Sequence, residues 1–148
     1  MKEVFFENIF CVVGANADKI KAEIATKNIQ FIDNPNFKNG LSASIISGIN
    51  YFNEHKLNFD GLFILLADQP AIETRYLRSM LDLFQENKTK IIASNYGKKL
   101  GVPVIFPKKH FSELLLIAGD KGAKEFIHQR KNEVISPKLT TIFFDIDT

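Results

Sequence analysis

The stretch that decides the fold is residues 62–72, Leu-Phe-Ile-Leu-Leu-Ala-Asp-Gln-Pro-Ala-Ile. Its unbroken apolar run is typical of a central strand of a parallel sheet that is covered on both faces. Ligands of open α/β sheets bind beyond the carboxyl ends of the strands, where Asp68 falls. A carboxylate in that place suits Mg²⁺, which in turn binds phosphate oxygens. The alternative is that Asp68 only caps the next helix and that Pro70 ends the strand.

Composition bounds the kind of protein. A chain of 148 residues with 45% hydrophobic and 24% charged residues fits one globular domain. Its net charge of +2 is too small to favour nucleic acid or an anionic membrane surface as a partner. No apolar run approaches the roughly 20 residues that span a bilayer, and no signal peptide is evident, so we expect a cytoplasmic protein.

Cysteine and histidine offer little chemistry. Cys11 lies in an apolar run and is expected to be a buried, inert thiol. The three histidines, His55, His110 and His128, show no metal-site spacing, and each is expected on the surface or on a helix. Neither residue type predicts a catalytic centre.

Apolar runs alternate with segments of helical period along the chain, which is the pattern of a βαβ protein. The predicted strands are residues 9–14, 29–32, 62–67, 90–94, 104–106, 133–135 and 141–144. The predicted helices are residues 17–27, a helix that starts at 41, 73–86, 110–118 and a short one that opens at 119–123. Repeats, linkers and low-complexity segments are absent from the sequence, so we expect one domain, residues 1–148.

The loop at 33–40 and the helix after it form the first candidate site. The loop consists of turn-forming residues, and long irregular loops in compact domains usually bind a ligand. Gly40, Ser42, Ala43 and Ser44 then surround the first helical turn, where unpaired backbone N–H groups point outward. The alternative is simple N-capping by Ser42.

Two glycine-containing segments follow later in the chain. The first, residues 95–103, is predicted to be a turn in which Lys98 and Lys99 are either solvated or face an anionic ligand. The second, Gly119-Asp120-Lys121-Gly122-Ala123, leads into a helix. Such a turn can hold an anion, although five residues alone are a weak indication.

Taken in order, five motifs make the sequence resemble the molybdenum cofactor cytidylyl- and guanylyltransferases, which attach CMP or GMP to molybdopterin. The likeness is greatest to the cytidylyltransferases and covers residues 9–148. The motifs are Asn34-Pro35 to Gly40-Leu41-Ser42-Ala43-Ser44, Leu66-Ala67-Asp68-Gln69-Pro70, Tyr96-Gly97 to Gly101-Val102-Pro103, Gly119-Asp120-Lys121-Gly122-Ala123 and Asp145-Ile146-Asp147-Thr148.

The resemblance implies a three-layer αβα, Rossmann-like fold of the nucleotide-diphospho-sugar-transferase type, with a mostly parallel sheet. It implies Mg²⁺-dependent transfer of a nucleotidyl group from an NTP, CTP or GTP, to a phosphorylated pterin acceptor. Asp68 would be the catalytic metal ligand beside the α-phosphate of the nucleotide. Gly40, Ser42 and Ser44 would lie by the nucleobase and ribose, Gly101, Pro103, Asp120 and Lys121 would form the acceptor side, and Asp145 or Asp147 would supply the second metal contact.

The sequence also departs from the family pattern. It contains no glycine-rich segment of the form L-A-A-G-x-S-x-R-M-G-x-x-K, which grips the triphosphate in the family, and it has Val102 in place of a histidine and Lys124 in place of an arginine. We therefore expect a sheet that lacks the family's first strand, with a gap that is filled by residues 3–8 or by a partner chain. An exposed strand edge would favour a homo-oligomer.

Three functions remain after the sequence analysis. The first is nucleotidyl transfer to the pterin, which retention of Asp68 favours. The second is a catalytically inactive nucleotide- or cofactor-binding module of the same fold, which loss of the glycine-rich segment favours. The third, a phosphosugar nucleotidyltransferase, is disfavoured by the likeness at residues 101–103.

Overall fold

The computed structural model describes residues 8–24, 28–66 and 72–138, in which helices and strands alternate. The strands are β1 (Ile9–Val13), β2 (Ile29–Asp33), β3 (Gly61–Ile64), β4 (Ile91–Asn95), β5 (Leu100–Pro107) and β6 (Val134–Ile135). The α-helices are α1 (Ala17–Glu23), α2 (Leu41–Glu54), α3 (Thr74–Glu86), α4 (Phe111–Leu114) and α5 (Gly122–Gln129), and single 3₁₀ turns lie at Phe37–Asn39, Lys108–His110 and Lys131–Glu133. The predicted α/β class is confirmed.

The chain divides into two compact units. The first consists of Met1–Asn58 with Ser112–Ala123, and the second of Phe59–Phe111 with Lys124–Thr148. The expectation of a single domain over residues 1–148 stays a prediction.

In the first unit, α2 covers a pair of parallel strands. β1 and β2 run in register from Ile9 opposite Ile29 to Val13 opposite Asp33. The inward face of α2 carries Ile45, Ile49 and Phe52, each no more than 4% exposed. Their spacing of three to four residues places them on one side of the helix, as the periodicity predicts.

The second unit is built on a four-stranded sheet with the order β3-β5-β4-β6. β5 is antiparallel to β3 and β4, and β6 is parallel to β4, so three of the four strands share a direction. Helix α3 packs on this sheet through Tyr76, Met80 and Phe84, which contact Ile92 and Ile105 in one buried cluster.

Strand β3 differs from the expectation of a central, parallel strand that is covered on both faces. Among the described residues it lies at the end of its sheet, pairs only with β5 and is half-buried at all four positions. The cause is the tight β4–β5 connection, which reverses the chain and brings an antiparallel strand beside β3. The described strands form two sheets, and the expected gap at the family's first strand stays a prediction. Most of the segment proposed to fill the gap, residues 3–8, lies outside the described residues.

Several element boundaries also differ from the predictions. β5 begins at Leu100, so Gly101-Val102-Pro103 belongs to a strand and not to the preceding turn. The helix predicted over residues 110–118 is only Phe111–Leu114, and the chain reaches Gly119 in a left-handed conformation, with φ of 75°. The strand predicted at 141–144 lies outside the described part of the chain.

The structure defines the surroundings of His110 and Cys11. Of the two places expected for His110, a helix applies and the surface does not: it ends the 3₁₀ turn Lys108–His110, is 4% exposed, and its Nε2 lies 3.0 Å from a carboxylate oxygen of Glu133. Cys11 is a half-buried free thiol, and burial raises the pKa of that thiol above 9.0. Within the three described ranges, every helix is too short or too polar to cross a membrane.

Candidate functional site

Asn34 organises the loop between β2 and α2. Its backbone N–H donates to the carbonyl oxygen of Val13 at 2.8 Å, which joins the loop to the end of β1. Its side-chain oxygen accepts from the N–H of Asn36 at 3.0 Å, and its side-chain nitrogen donates to the hydroxyl of Ser44 at 3.1 Å. Asn34 is 2% exposed, so these bonds satisfy a buried amide and fix the approach to α2.

Gly40 ends the loop in a conformation that side chains rarely adopt. Its φ of 86° and ψ of −171° fall in a region that is essentially restricted to glycine. A Cβ atom at this position would lie 2.2 Å from Oδ1 of Asp120 and 2.9 Å from the backbone nitrogen of Asp120. Gly40 therefore allows the Asp120 carboxylate to lie directly against the start of α2.

Ser42 fastens the same two segments together. Its hydroxyl donates to the carbonyl oxygen of Gly119 at 2.5 Å, and its side chain is 1% exposed. A Cβ atom at Gly122 would lie 2.5 Å from the Ser42 hydroxyl oxygen, so the contact also depends on that glycine. The N-cap of α2 is Gly40, without a side-chain cap, so capping by Ser42 is not observed.

The start of α2 is thus a polar surface of defined chemistry. Its first turn has no side-chain cap, and the helix dipole places partial positive charge there. Asp120 and Lys121 are both exposed beside it. The Asp120 carboxylate at this end accepts hydrogen bonds, so the surface can bind hydroxyl and amine groups.

The structure therefore brings Gly40, Ser42, Ser44 and Asp120 together in the first unit, with Lys121 next in the chain. The assignment of Gly40, Ser42 and Ser44 to a nucleotide, and of Asp120 and Lys121 to the acceptor, stays a prediction. The sequence analysis did not single out Asn34 or Gly122 as site residues. An asparagine directly after a strand and before Pro35 was the available indication for Asn34.

Gly101 and Pro103 lie in the second unit, where the β4–β5 hairpin forms a distinct structure. The hairpin turn contains Gly97, whose φ is 92° and whose N–H donates to the side-chain oxygen of Asn95 at 2.8 Å. The Tyr96 hydroxyl donates to the carbonyl oxygen of Val102. Lys98 and Lys99 are both exposed in this turn.

The predicted metal ligands, Asp68, Asp145 and Asp147, lie outside the described residues. Within the described ranges, no group of three or more histidine, cysteine, aspartate or glutamate residues is close enough to hold a metal ion. Among the described residues, Asp120 supplies a carboxylate against Gly40 at the candidate site.

Comparison with known protein families identifies the family of this chain. A model of the MobA-like NTP transferase domain matches residues 1–134. The chain belongs to this family. The resemblance drawn from the five motifs is thereby confirmed, and the protein is nucleotidyltransferase-like. The comparison with curated proteins found no match.

Solved structures share the fold of this family member. Rv0371c of Mycobacterium tuberculosis H37Rv, solved in complex with manganese, superposes with a TM-score of 0.74 at 22% identity, over 99% of this chain and 76% of that one. A homologue of Rv0371c from Mycobacterium sp. strain JC1 has a TM-score of 0.71 at 21% identity, over 94% and 68% of the two chains. A nucleotidyl transferase from Methanothermobacter thermautotroptrophicus has a TM-score of 0.64 at 15% identity, over 88% and 62%.

Proposed function

We propose that this protein is a divalent-metal-dependent nucleotidyltransferase that transfers CMP or GMP from CTP or GTP to molybdopterin. The observation that carries the proposal is the junction of Gly40 and Ser42 with Gly119 and Asp120. It joins two motifs of the family at the start of one helix. Membership of the MobA-like family supports an NTP as substrate.

The nucleoside would lie against the start of α2. The resemblance places Asp120 on the acceptor side, but its carboxylate lies against Gly40, so here it would accept hydrogen bonds from ribose hydroxyls or a base amine. Ser44 would donate its hydroxyl hydrogen, since its oxygen already accepts from Asn34. Ser42 is engaged with Gly119 and would shape the surface rather than touch the base. Fixing the nucleoside in this way supplies orientation for an in-line displacement at the α-phosphate.

Asp68 would hold Mg²⁺ or Mn²⁺ with Asp145 or Asp147, and that ion would neutralise charge on the α-phosphate and on the departing pyrophosphate. The manganese complex of Rv0371c supports a divalent ion in this fold. Gly101, Pro103 and Lys121 would belong to the acceptor side, where Gly101 and Pro103 are buried and Lys121 is exposed. A cytoplasmic location and a homo-oligomer formed through a strand edge remain predictions.

The direct test is transfer of label from α-³²P-CTP and α-³²P-GTP to molybdopterin in the presence of Mg²⁺ or Mn²⁺. We expect labelled pterin dinucleotide and released pyrophosphate with one of the two nucleotides. Asp120→Asn should raise the KM for the nucleotide, whereas Asp18→Asn, at an exposed acid in the first turn of α1, should not. Equal effects of the two variants would contradict the assigned role of Asp120.

The second candidate function is a catalytically inactive binding module of the same fold. The absence of the L-A-A-G-x-S type of phosphate-binding segment from residues 1–148 favours it. Each lost hydrogen bond to an ionised phosphate oxygen would remove about 1.5–3 kcal/mol of nucleotide binding. Binding of molybdopterin without label transfer from either nucleotide would establish this second function.

A further inference from the structure

The ladder between β4 and β5 slips by two residues at the predicted acceptor segment. Asn95 pairs with Leu100 and Ser94 with Gly101, but the next residue of β4, Ala93, pairs with Val104. Val102 and Pro103 therefore have no partner in β4. The pairs that β5 makes with β3 in the described residues end at Val104. Bulges of this kind redirect a strand and are frequent beside active sites.

At this bulge, two side-chain hydroxyls donate hydrogen bonds in place of the backbone bonds of the ladder. The Tyr96 hydroxyl donates to the carbonyl oxygen of Val102, and the Ser94 hydroxyl donates to the carbonyl oxygen of Pro103 at 2.8 Å. Ser94 is fully buried, so the carbonyl of Pro103 has a protein donor where water does not reach. Consecutive carbonyl groups of the bulge are thus held by separate donors.

The number of hydroxyl hydrogens determines which group donates in the buried hydrogen bonds of Ser94. Ser94 has one hydroxyl hydrogen, and the oxygen of Pro103 at 2.8 Å is a better acceptor than the sulfur of Met80 at 4.0 Å. The oxygen of Ser94 in turn accepts from the hydroxyl of Tyr76 at 3.0 Å. Burial raises the pKa of Tyr76, which keeps this hydroxyl protonated and donating. The chain of bonds runs from Tyr76 through Ser94 to Pro103.

We propose that Tyr76, Ser94 and Tyr96 are positioning residues for the acceptor. They act through the backbone of the Val102–Pro103 bulge, in which Gly101 and Pro103 are buried and Val102 is half-buried at the predicted acceptor side. The inference rests on the proposed function, in which the segment that contains Gly101 and Pro103 forms the acceptor side. It assigns acceptor affinity to three hydroxyl groups, and it predicts that nucleotide affinity is independent of them.

The test compares Ser94→Ala, Tyr96→Phe and Tyr76→Phe with the wild-type protein. Tyr51→Phe is the matched control, because the Tyr51 hydroxyl donates to Gln30 in the first unit at 3.3 Å. Binding of molybdopterin is followed by quenching of pterin fluorescence, and CTP and GTP binding by calorimetry. Hydrogen exchange of the peptide that spans residues 91–107 reports whether the hairpin has loosened.

We expect each variant at the bulge to raise the Kd for molybdopterin about 5- to 10-fold, the usual effect of one hydrogen bond. The nucleotide Kd should be unchanged, and exchange over the hairpin should be faster. Tyr51→Phe should alter none of these. Tyr96 is 39% exposed, so Tyr96→Phe keeps the test valid if the buried variants do not fold.

Wild-type molybdopterin affinity in the folded variants would overturn the inference. So would equal losses of pterin and nucleotide affinity, which indicate only general damage to the structure. A wild-type protein that binds no molybdopterin would overturn it as well. Binding of molybdopterin without nucleotidyl transfer contradicts the proposed function alone, and the ratios of Kd values then decide the inference.

Discussion

The hydroxyl of Ser42 donates to the carbonyl oxygen of Gly119 at 2.5 Å across 77 residues of sequence. The bond joins the first turn of α2 to the loop that carries Asp120. Two motifs that are far apart in the chain are therefore in contact, and a substitution in one should alter the structure or stability of the other.

The first prediction concerns Gly40, where an added methyl group meets both strain and a clash. Gly40→Ala should reduce the free energy of unfolding by about 3 kcal/mol or more, because φ is 86° and Asp120 occupies the space. Urea unfolding measures the change.

Gly48→Ala is the control for this substitution. A Cβ atom at Gly48, in the middle of α2, meets nothing within 4 Å. It should raise the free energy of unfolding by about 0.5–1 kcal/mol, the usual gain of alanine over glycine in a helix. The account of Gly40 fails if the two alanine variants have the same stability.

The second prediction concerns the contact of Gly122 with Ser42. Gly122→Ala should be destabilising, since its Cβ atom would lie 2.5 Å from the Ser42 hydroxyl oxygen. Ser42→Ala removes that oxygen and costs about 1–3 kcal/mol by leaving the Gly119 carbonyl without its donor. The double variant should therefore be less destabilised than the sum of the single variants. Additive losses in urea would show that the two side chains do not meet.

The third prediction concerns Asn34. Asn34→Ala should cost about 2–4 kcal/mol, because it removes two side-chain hydrogen bonds at a residue that is 2% exposed. Ser44→Ala should cost less, since it removes only one of them. Asn36→Ala, at an exposed position of the same loop, should stay within about 0.5 kcal/mol. A similar loss for Asn34→Ala and Asn36→Ala would contradict the organising role of Asn34.

The fourth prediction concerns acid stability and Glu133. The hydrogen bond from Lys109 lowers the pKa of Glu133 below its ordinary value of 4.5, and His110 adds to the effect. Because the folded state favours the ionised carboxylate, this stabilisation is present above pH 4.5 and is lost as pH falls below it. Glu133→Gln should therefore flatten the loss of stability with falling pH in that range.

The control for acid unfolding is Glu86→Gln, at an exposed glutamate in the last turn of α3. It should leave the pH dependence as it is in the wild-type protein. Thermal unfolding between pH 3 and pH 7 compares the three proteins. If Glu133→Gln loses stability at low pH as steeply as the wild-type protein, the acid sensitivity arises from other groups.

Local patterns in the sequence were sufficient for most of the helices and strands. The inward face of α2 followed from the spacing of Ile45, Ile49 and Phe52, since side chains three and four residues apart share a helix face. The order of five short motifs predicted the family, and the match over residues 1–134, which contains four of them, confirms the family.

Features that depend on distant partners could not be predicted. The bond between Ser42 and Gly119 needs a contact across 77 residues, and the capping alternative was equally consistent with a serine in a first helical turn. Burial of His110 depends on Glu133 in a later segment. Among the described strands, β3 lies at the end of its sheet because it pairs with the antiparallel strand β5. The apolar run of β3 alone does not predict which strand will pair with it.

The measurement that tests the central claim most directly is titration calorimetry of CTP and GTP with Mg²⁺, on the wild-type protein and on Asp68→Ala. We predict that one nucleotide binds with a Kd on the order of 10 μM, about −7 kcal/mol, and that Asp68→Ala abolishes this binding. Absence of binding at about 1 mM of either nucleotide, weaker than about −4 kcal/mol, would contradict the assignment of this chain as a nucleotidyltransferase.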